Sequence, residues 1–196
     1  MTIVVGAKFK TPAGDQVYIG SDSSICDDSD GSRFLNVVDP YKLISFKRFT
    51  VGMAGDFTLK QILSDMANEE DEKNKHTRIT NARSAYNFGQ KVFAEMKSKS
   101  VRTDDENEKH ADPGGEIMIA TKTQLFCYSP LDRAIYEISS FAALGSGSAW
   151  AMGNLEAIYE CDIVDPDTRE CIVEDAVAAA CKYSYECSLP SKVVKV

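Results

Sequence analysis

The apolar positions of this chain switch between two periods. From Ile3 to Phe9 and from Gln16 to Gly20 they form short β-branched or alternating runs. Thr11-Pro12-Ala13-Gly14-Asp15 supplies turn residues between them, which predicts a β-hairpin. A polar stretch from Ser21 to Arg33 follows, then strand-like runs at Phe34 to Val38, Lys42 to Phe46 and Phe49 to Met53, the last two hairpin-like around Lys47-Arg48. At Asp56 the period lengthens. Leu59, Ile62, Leu63 and Met66 recur at helical spacing until the charged stretch Glu69 to Lys75. A second helix, capped by Thr80 or Thr77, carries Ala82, Ala85, Tyr86, Val92, Phe93 and Met96 on one stripe, read as core.

Residues 101 to 113 are polar and mostly acidic, end in Asp112-Pro113-Gly114-Gly115, and are expected to be a loop. Strands resume at Glu116 to Ala120, Gln124 to Tyr128, Ala134 to Ile138 and Phe141 to Leu144. Gly145-Ser146-Gly147-Ser148 then leads into a helix bearing Trp150, Met152, Leu155, Ile158 and Tyr159. Beyond Asp165-Pro166-Asp167, a last helix starts at Thr168 or Glu170 and runs through Ile172, Val173, Ala176, Val177, Ala180 and Cys181. Lys192 to Val196 closes the chain as a short strand. Strands, two helices, strands and two helices predict an α+β fold, with sheets packed together and helices outside. No repeat or linker divides the sequence, and 196 residues suffice for one buried core, so a single domain over 1–196 is expected.

Composition narrows the function. Hydrophobic residues at 43% and charged residues at 27% sit near the globular average, which argues against disorder and against a membrane protein. No run approaches the ~20 apolar residues of a membrane span, and the N-terminus lacks the layout of a secretion signal, so a cytoplasmic location is expected. A net charge of −8 disfavours a nucleic-acid partner, whose phosphates need clustered Lys and Arg. Cys26, Cys127, Cys161, Cys171, Cys181 and Cys187 form no CxxC pair and are read as reduced thiols. His76 and His110 lie in charged, loop-like stretches, so neither a Cys-His nucleophile nor a metal site is expected. Asp27, Asp28 and Asp30 lack the Glu of an EF-hand and read as a solvated loop. No cofactor is expected.

The candidate chemistry is at the start of the chain. Met1 precedes Thr2, a small residue that methionine removal tolerates, and a freed Thr2 carries a hydroxyl and an α-amine with an unperturbed pKa of about 7.7–8.0, a nucleophile and base in one residue. Taken singly, Asp22 reads as a turn acid, Lys42 as a surface lysine ending a strand, Gly55 as a strand-to-helix bend and Ser146 as a helix cap.

In order along the chain, however, Thr2-Ile3-Val4-Val5-Gly6-Ala7, Gly20-Ser21-Asp22-Ser23, Tyr41-Lys42-Leu43, Gly52-Met53-Ala54-Gly55-Asp56 and Ala143-Leu144-Gly145-Ser146-Gly147-Ser148 resemble the proteasome β-subunits and the bacterial protease HslV. The resemblance implies the N-terminal-nucleophile hydrolase fold, a four-layer αββα sandwich, and a threonine-type endopeptidase. Such an enzyme would work in a self-compartmentalised homo-oligomeric ring on unfolded protein or peptide, with an ATP-dependent unfoldase as partner. It assigns Thr2 as nucleophile, Lys42 as the cation beside it, Asp22 as that lysine's partner, Gly55 as the oxyanion donor and Ser146 as the hydroxyl contacting the terminal amine. Simple removal of Met1, as in HslV, is expected rather than self-cleavage. The sequence departs from the family in one place: active β-subunits of the archaeal and eukaryotic type carry an Asp three residues before a Ser near the last long helix, whereas Tyr185 precedes Ser188 here and Glu186 is out of register. The competing expectations are a non-catalytic ring or scaffold subunit of the same fold and an N-terminal-nucleophile amidase of a small molecule.

Overall fold

The computed structural model describes residues 2–24, 38–99, 115–159 and 168–196. Its elements are β1 (Val4–Phe9), β2 (Gln16–Ser21), β3 (Leu43–Ser45), β4 (Phe49–Gly55), α1 (Thr58–Glu72), α2 (Ala82–Lys99), β5 (Gly115–Thr121), β6 (Leu125–Ser129), β7 (Ala134–Ile138), β8 (Phe141–Leu144), α3 (Ser148–Tyr159), α4 (Arg169–Tyr183) and β9 (Lys192–Lys195). The strands make a 4-stranded sheet ordered β8-β1-β2-β9 and a 5-stranded sheet ordered β3-β4-β5-β6-β7. Every pairing is antiparallel.

The period-2 alternation of the strands decides how these sheets stack. Ile3, Val5, Ala7 and Phe9 of the first sheet pack with Ala151, Leu155, Ile172, Val173, Ala176, Val177 and Ala180 of α3 and α4. The intervening positions Val4, Val17 and Ile19 meet Met118, Ala120, Leu125 and Cys127 of the second sheet. The opposite face of that second sheet turns Phe49, Val51, Met53, Ile117, Ile119, Phe126 and Tyr128 toward Leu59, Ile62 and Leu63 of α1 and Phe88, Val92, Phe93 and Met96 of α2. Three apolar interfaces therefore separate four layers, the αββα sandwich. Glycine brings the sheets together at Gly52, where an added Cβ would lie 2.5 Å from Val4 Cγ1.

Local differences from the sequence expectations have simple causes. Asn81, not Thr80 or Thr77, caps α2: its Oδ1 accepts the Ser84 N–H at 2.9 Å while Ser84 Oγ accepts the Asn81 N–H at 3.1 Å. β4 continues two residues past Met53, because Ala54 and Gly55 still pair with Glu116 and Gly115. On α3, Trp150 is half exposed and lies against Tyr183 in a tilted pair with ring centroids 5.2 Å apart; the buried residues of that helix are Ala151 and Leu155. Val38, the last residue of the expected strand from Phe34, is exposed in a bend, and the rest of that strand lies outside the described residues. So do the loop at 101–113 and the acidic stretch at 27–30. Among the described residues no helix is long and apolar enough to cross a membrane.

Candidate active site

Thr2 and Asp22 meet because β1 and β2 form a hairpin. Val4 pairs with Ser21, so one step further along the ladder the Asp22 N–H donates to the Ile3 carbonyl at 3.3 Å. Lys42 comes from the other sheet, immediately before β3, with its carbonyl accepting the Met53 N–H at 3.0 Å and its own N–H donating to Ser21 Oγ at 3.2 Å. The site is thus assembled across the seam between the sheets.

At its centre is the Asp22 carboxylate. Oδ1 accepts the Lys42 ammonium at 2.7 Å, the Thr2 hydroxyl at 3.1 Å and the Ile3 N–H at 3.1 Å; Oδ2 accepts the N–H groups of Ser24 at 3.0 Å and Ser188 at 3.2 Å. Thr2, Asp22 and Lys42 are 2%, 0% and 3% exposed. A buried ion pair is tolerated only when its remaining lone pairs and protons find partners, and the donors here saturate the carboxylate. Burial holds the Lys42 ammonium below the usual lysine range, opposed by the charge and hydrogen bond of Asp22.

The remaining expected residues arrive from the ends of β4 and β8. Gly145 follows β8 with φ at +97°, and a Cβ there would fall 2.2 Å from the Thr2 carbonyl oxygen, so both its conformation and its closeness to Thr2 demand glycine. Ser146 Oγ donates to that same carbonyl at 3.4 Å. Its partner on Thr2 is therefore the carbonyl oxygen rather than the nitrogen. Gly55 ends β4 with φ at +125° and is exposed, two residues past Met53. Hydrogen bonds join Thr2, Asp22, Lys42 and Ser146 into one cluster, and Gly55 closes β4 in its pairing with Gly115.

The sequence reading missed several contributors. Ser188, which the sequence marks only by its spacing from Tyr185, enters through its backbone: its N–H donates to Asp22 and its carbonyl accepts the Ser23 N–H at 3.1 Å. The Ser24 N–H and the Ser21 hydroxyl were missed too. Cys187 is buried beside them, its thiol pushed up by burial and by the Asp22 charge. A backbone donor carries no side-chain signature, whereas Gly145 was visible as a glycine opening the Gly-Ser-Gly turn. Among the described residues no group of three His, Cys, Asp or Glu side chains is arranged to hold a metal.

Two face-to-face antiparallel sheets with paired helices on each outer side, and Thr2 buried at the head of the first strand, define the N-terminal-nucleophile hydrolase fold of the proteasome β/HslV type. The solved structures that share it match over nearly the whole of both chains. Thiobacillus denitrificans BPH is 22% identical, with 98% of this chain and 97% of that chain covered and a TM-score of 0.79. The same protein in complex with epoxomicin gives 0.78 at the same identity and coverage. Eukaryotic HslV from Trypanosoma brucei is 14% identical, with 98% of each chain covered and a TM-score of 0.65. No family model matches the sequence, and no curated protein does either. At these identities the likeness is one of fold.

Proposed function

We propose that this single-domain protein is a threonine-type endopeptidase of the proteasome β/HslV kind, with Thr2 as nucleophile once Met1 has been removed. One observation carries the reading: the Thr2 hydroxyl and the Lys42 ammonium converge on one buried oxygen of Asp22, at 3.1 and 2.7 Å. A threonine hydroxyl needs an adjacent base to become a nucleophile. In the proposed reaction the freed α-amine of Thr2 takes the Oγ1 proton, directly or through water, as Oγ1 bonds to a peptide carbonyl carbon. The carbonyl oxygen becomes an oxyanion facing the Gly55 N–H. The C–N bond then breaks, the leaving amine carries the proton away, and water releases the acyl group from the threonine ester with the α-amine again as base.

Lys42 places a positive charge beside the nucleophile, which favours loss of the hydroxyl proton and disfavours a protonated amine. Asp22 orients that lysine and opposes the effect of its burial. Ser146 steadies Thr2 through its carbonyl. The Thiobacillus protein of the same fold is known in complex with epoxomicin, which makes that compound a natural probe of this site. The proposed setting is the cytoplasm. There a homo-oligomeric ring would admit unfolded chains or peptides, fed by an ATP-dependent unfoldase.

The test uses protein whose intact mass begins at Thr2. It cleaves fluorogenic peptides or an unfolded protein, sizes as a ring, is inhibited by epoxomicin, and loses turnover in Thr2→Ala without losing assembly. Wild-type turnover in Thr2→Ala, or no cleavage by a ring that starts at Thr2, overturns the reading.

A further inference from the structure

Lys60 has no place in the chemistry above, yet with Lys42 it is one of two buried lysines among the described residues, at 8% exposed. It lies in the first turn of α1, where the positive end of the helix dipole repels a cation. Burial and dipole both work against an ammonium at this position, so its partners must hold it there. They are two atoms of one residue: Lys60 Nζ donates to the backbone carbonyl of Asp39 and, at 3.1 Å, to Asp39 Oδ2. The ammonium also sits over the Phe57 ring, 5.3 Å from its centroid.

Asp39 is itself unusual. Its φ is +51°, left-handed backbone that a non-glycine residue seldom adopts, and it precedes Pro40, which favours extended backbone in the residue before it. A conformation disfavoured twice persists only when its surroundings impose it. From Asp39 the chain runs through Pro40, whose φ is fixed by its ring, and Tyr41 to Lys42. A shift at Asp39 is therefore carried along a short, stiff segment to the lysine whose ammonium bonds Asp22. Lys60 also lies five residues after Gly55, so one contact joins the β4–α1 corner to the Lys42 segment.

We propose that Lys60 is a positioning residue for Lys42: by clamping Asp39 it fixes the segment that delivers the Lys42 ammonium to Asp22 and Thr2. The inference rests on the peptidase reading for its catalytic consequence, but the geometry it asserts is testable without activity. The charged group that faces Lys42 is Asp22, with the Cys187 and Cys181 thiols also near it, and none of them is altered by a change at Lys60.

The experiment compares wild type with Lys60→Met, which keeps the aliphatic stem, Lys60→Arg, which keeps the charge, and Asp39→Asn, which keeps the backbone. The first readout is the side-chain NMR titration of Lys42 in lysine-labelled protein, assigned with Lys42→Met. Lys60→Met moves the Lys42 midpoint up toward the ordinary lysine range as the segment loosens and hydrates, Lys60→Arg restores it, and Asp39→Asn moves it the same way by less. The second readout is peptide cleavage. Misplacement by about 1 Å can cost roughly 100-fold, so kcat falls by about 10-fold or more in Lys60→Met. KM stays within about twofold, and Lys60→Arg recovers most of the loss. An unchanged Lys42 titration in folded Lys60→Met overturns the proposal; should that variant not fold, an unchanged titration in Asp39→Asn does so. If the wild type cleaves nothing, the peptidase reading fails and the titration still decides the role of Lys60.

Discussion

The two sheets that share the site pack differently against their helices, the first combining small residues with an aromatic cluster of Phe9, Tyr18, Phe141 and Tyr159. Behind Thr2 and Asp22, α3 and α4 press small residues onto the sheet: Ala151, Ala176 and Ala180 with Val173 and Val177. An added Cβ at Gly147 would meet Ala180 at 2.8 Å and Cys187 at 2.9 Å. Behind Lys42 and Gly55 the interface is aromatic, with Phe46, Phe49 and Phe88 mutually stacked or edge-on at centroid distances of 4.5 to 5.4 Å. The first half holds its polar residues by close approach, where no atom can be added. The second half packs bulky side chains on the sheet face turned toward α1 and α2. Substitutions in the first half should therefore disturb geometry, and substitutions in the second mainly stability.

The residue that joins the halves should show the largest effect. Asp22→Ala strands the Lys42 ammonium in a site only 3% exposed, and breaking a buried pair costs about 3–5 kcal/mol. Denaturant unfolding should register that loss together with the disappearance of peptide cleavage; a variant of wild-type stability would show that Asp22 does not hold the cluster. Phe49→Ala should match it in stability alone. Removing a buried aromatic costs about 3–5 kcal/mol, while turnover per folded molecule stays near wild type. A turnover loss beyond the unfolded fraction would break the division between the halves.

Gly145→Ala sharpens the contrast from the other side. Left-handed backbone costs a non-glycine residue about 1–3 kcal/mol, and here the new Cβ also collides with the Thr2 carbonyl, 2.2 Å away. The control is Gly14→Ala. Its φ of +111° carries the same kind of strain, but nothing lies within 4 Å of the new Cβ. Calorimetry should find the two similarly destabilised or Gly145→Ala worse, and peptide cleavage should fall sharply only in Gly145→Ala. Equal cleavage in both would mean that Thr2 tolerates displacement.

The same contrast marks what could be read from the sequence. β7 and β8 fall at the expected bounds, Ala134–Ile138 and Phe141–Leu144, because each is a short, mostly apolar run and turn residues bound them. The helices were less legible in their packing than in their existence. Trp150 belongs to the apolar pattern of α3, but it is half exposed against Tyr183, and the small Ala151 takes the buried place, since this interface selects for closeness rather than bulk. Asn81 was overlooked as a cap because two threonines stood nearby, and only the reciprocal bonds with Ser84 distinguish it. In the site, Thr2, Asp22, Lys42 and Ser146 were recognisable by residue type and order. The N–H donors of Ser24 and Ser188 were not, because every residue but proline has one.

Lys42 makes the division testable by pH. Its folded pKa lies below the ordinary lysine value, chiefly through burial, so between the two the unfolded chain binds more protons than the native one. Stability from this group therefore rises with pH across that window, by up to about 1.4 kcal/mol per pH unit, and is lost as pH falls through the folded pKa. Measured from pH 8 to 10.5, the unfolding free energy of wild type should gain on that of Lys42→Met. A constant difference would mean that the buried lysine titrates as an exposed one does.

The smallest effect belongs to Ser146. Its hydroxyl donates to the Thr2 carbonyl at 3.4 Å, at the long end of hydrogen-bond geometry, and Ser146 is exposed. A neutral hydrogen bond contributes about 0.5–1.5 kcal/mol, so Ser146→Ala should reduce peptide cleavage by roughly 2- to 10-fold and leave unfolding almost unchanged. The carbonyl it serves belongs to the residue that carries the proposed nucleophile, which is why a weak bond is expected to appear in turnover and not in stability. A loss approaching that of Asp22→Ala would instead place the Ser146 hydroxyl on the Thr2 amine during the reaction, and Ser146 would then belong with the proton-handling groups rather than with the scaffold of the first sheet.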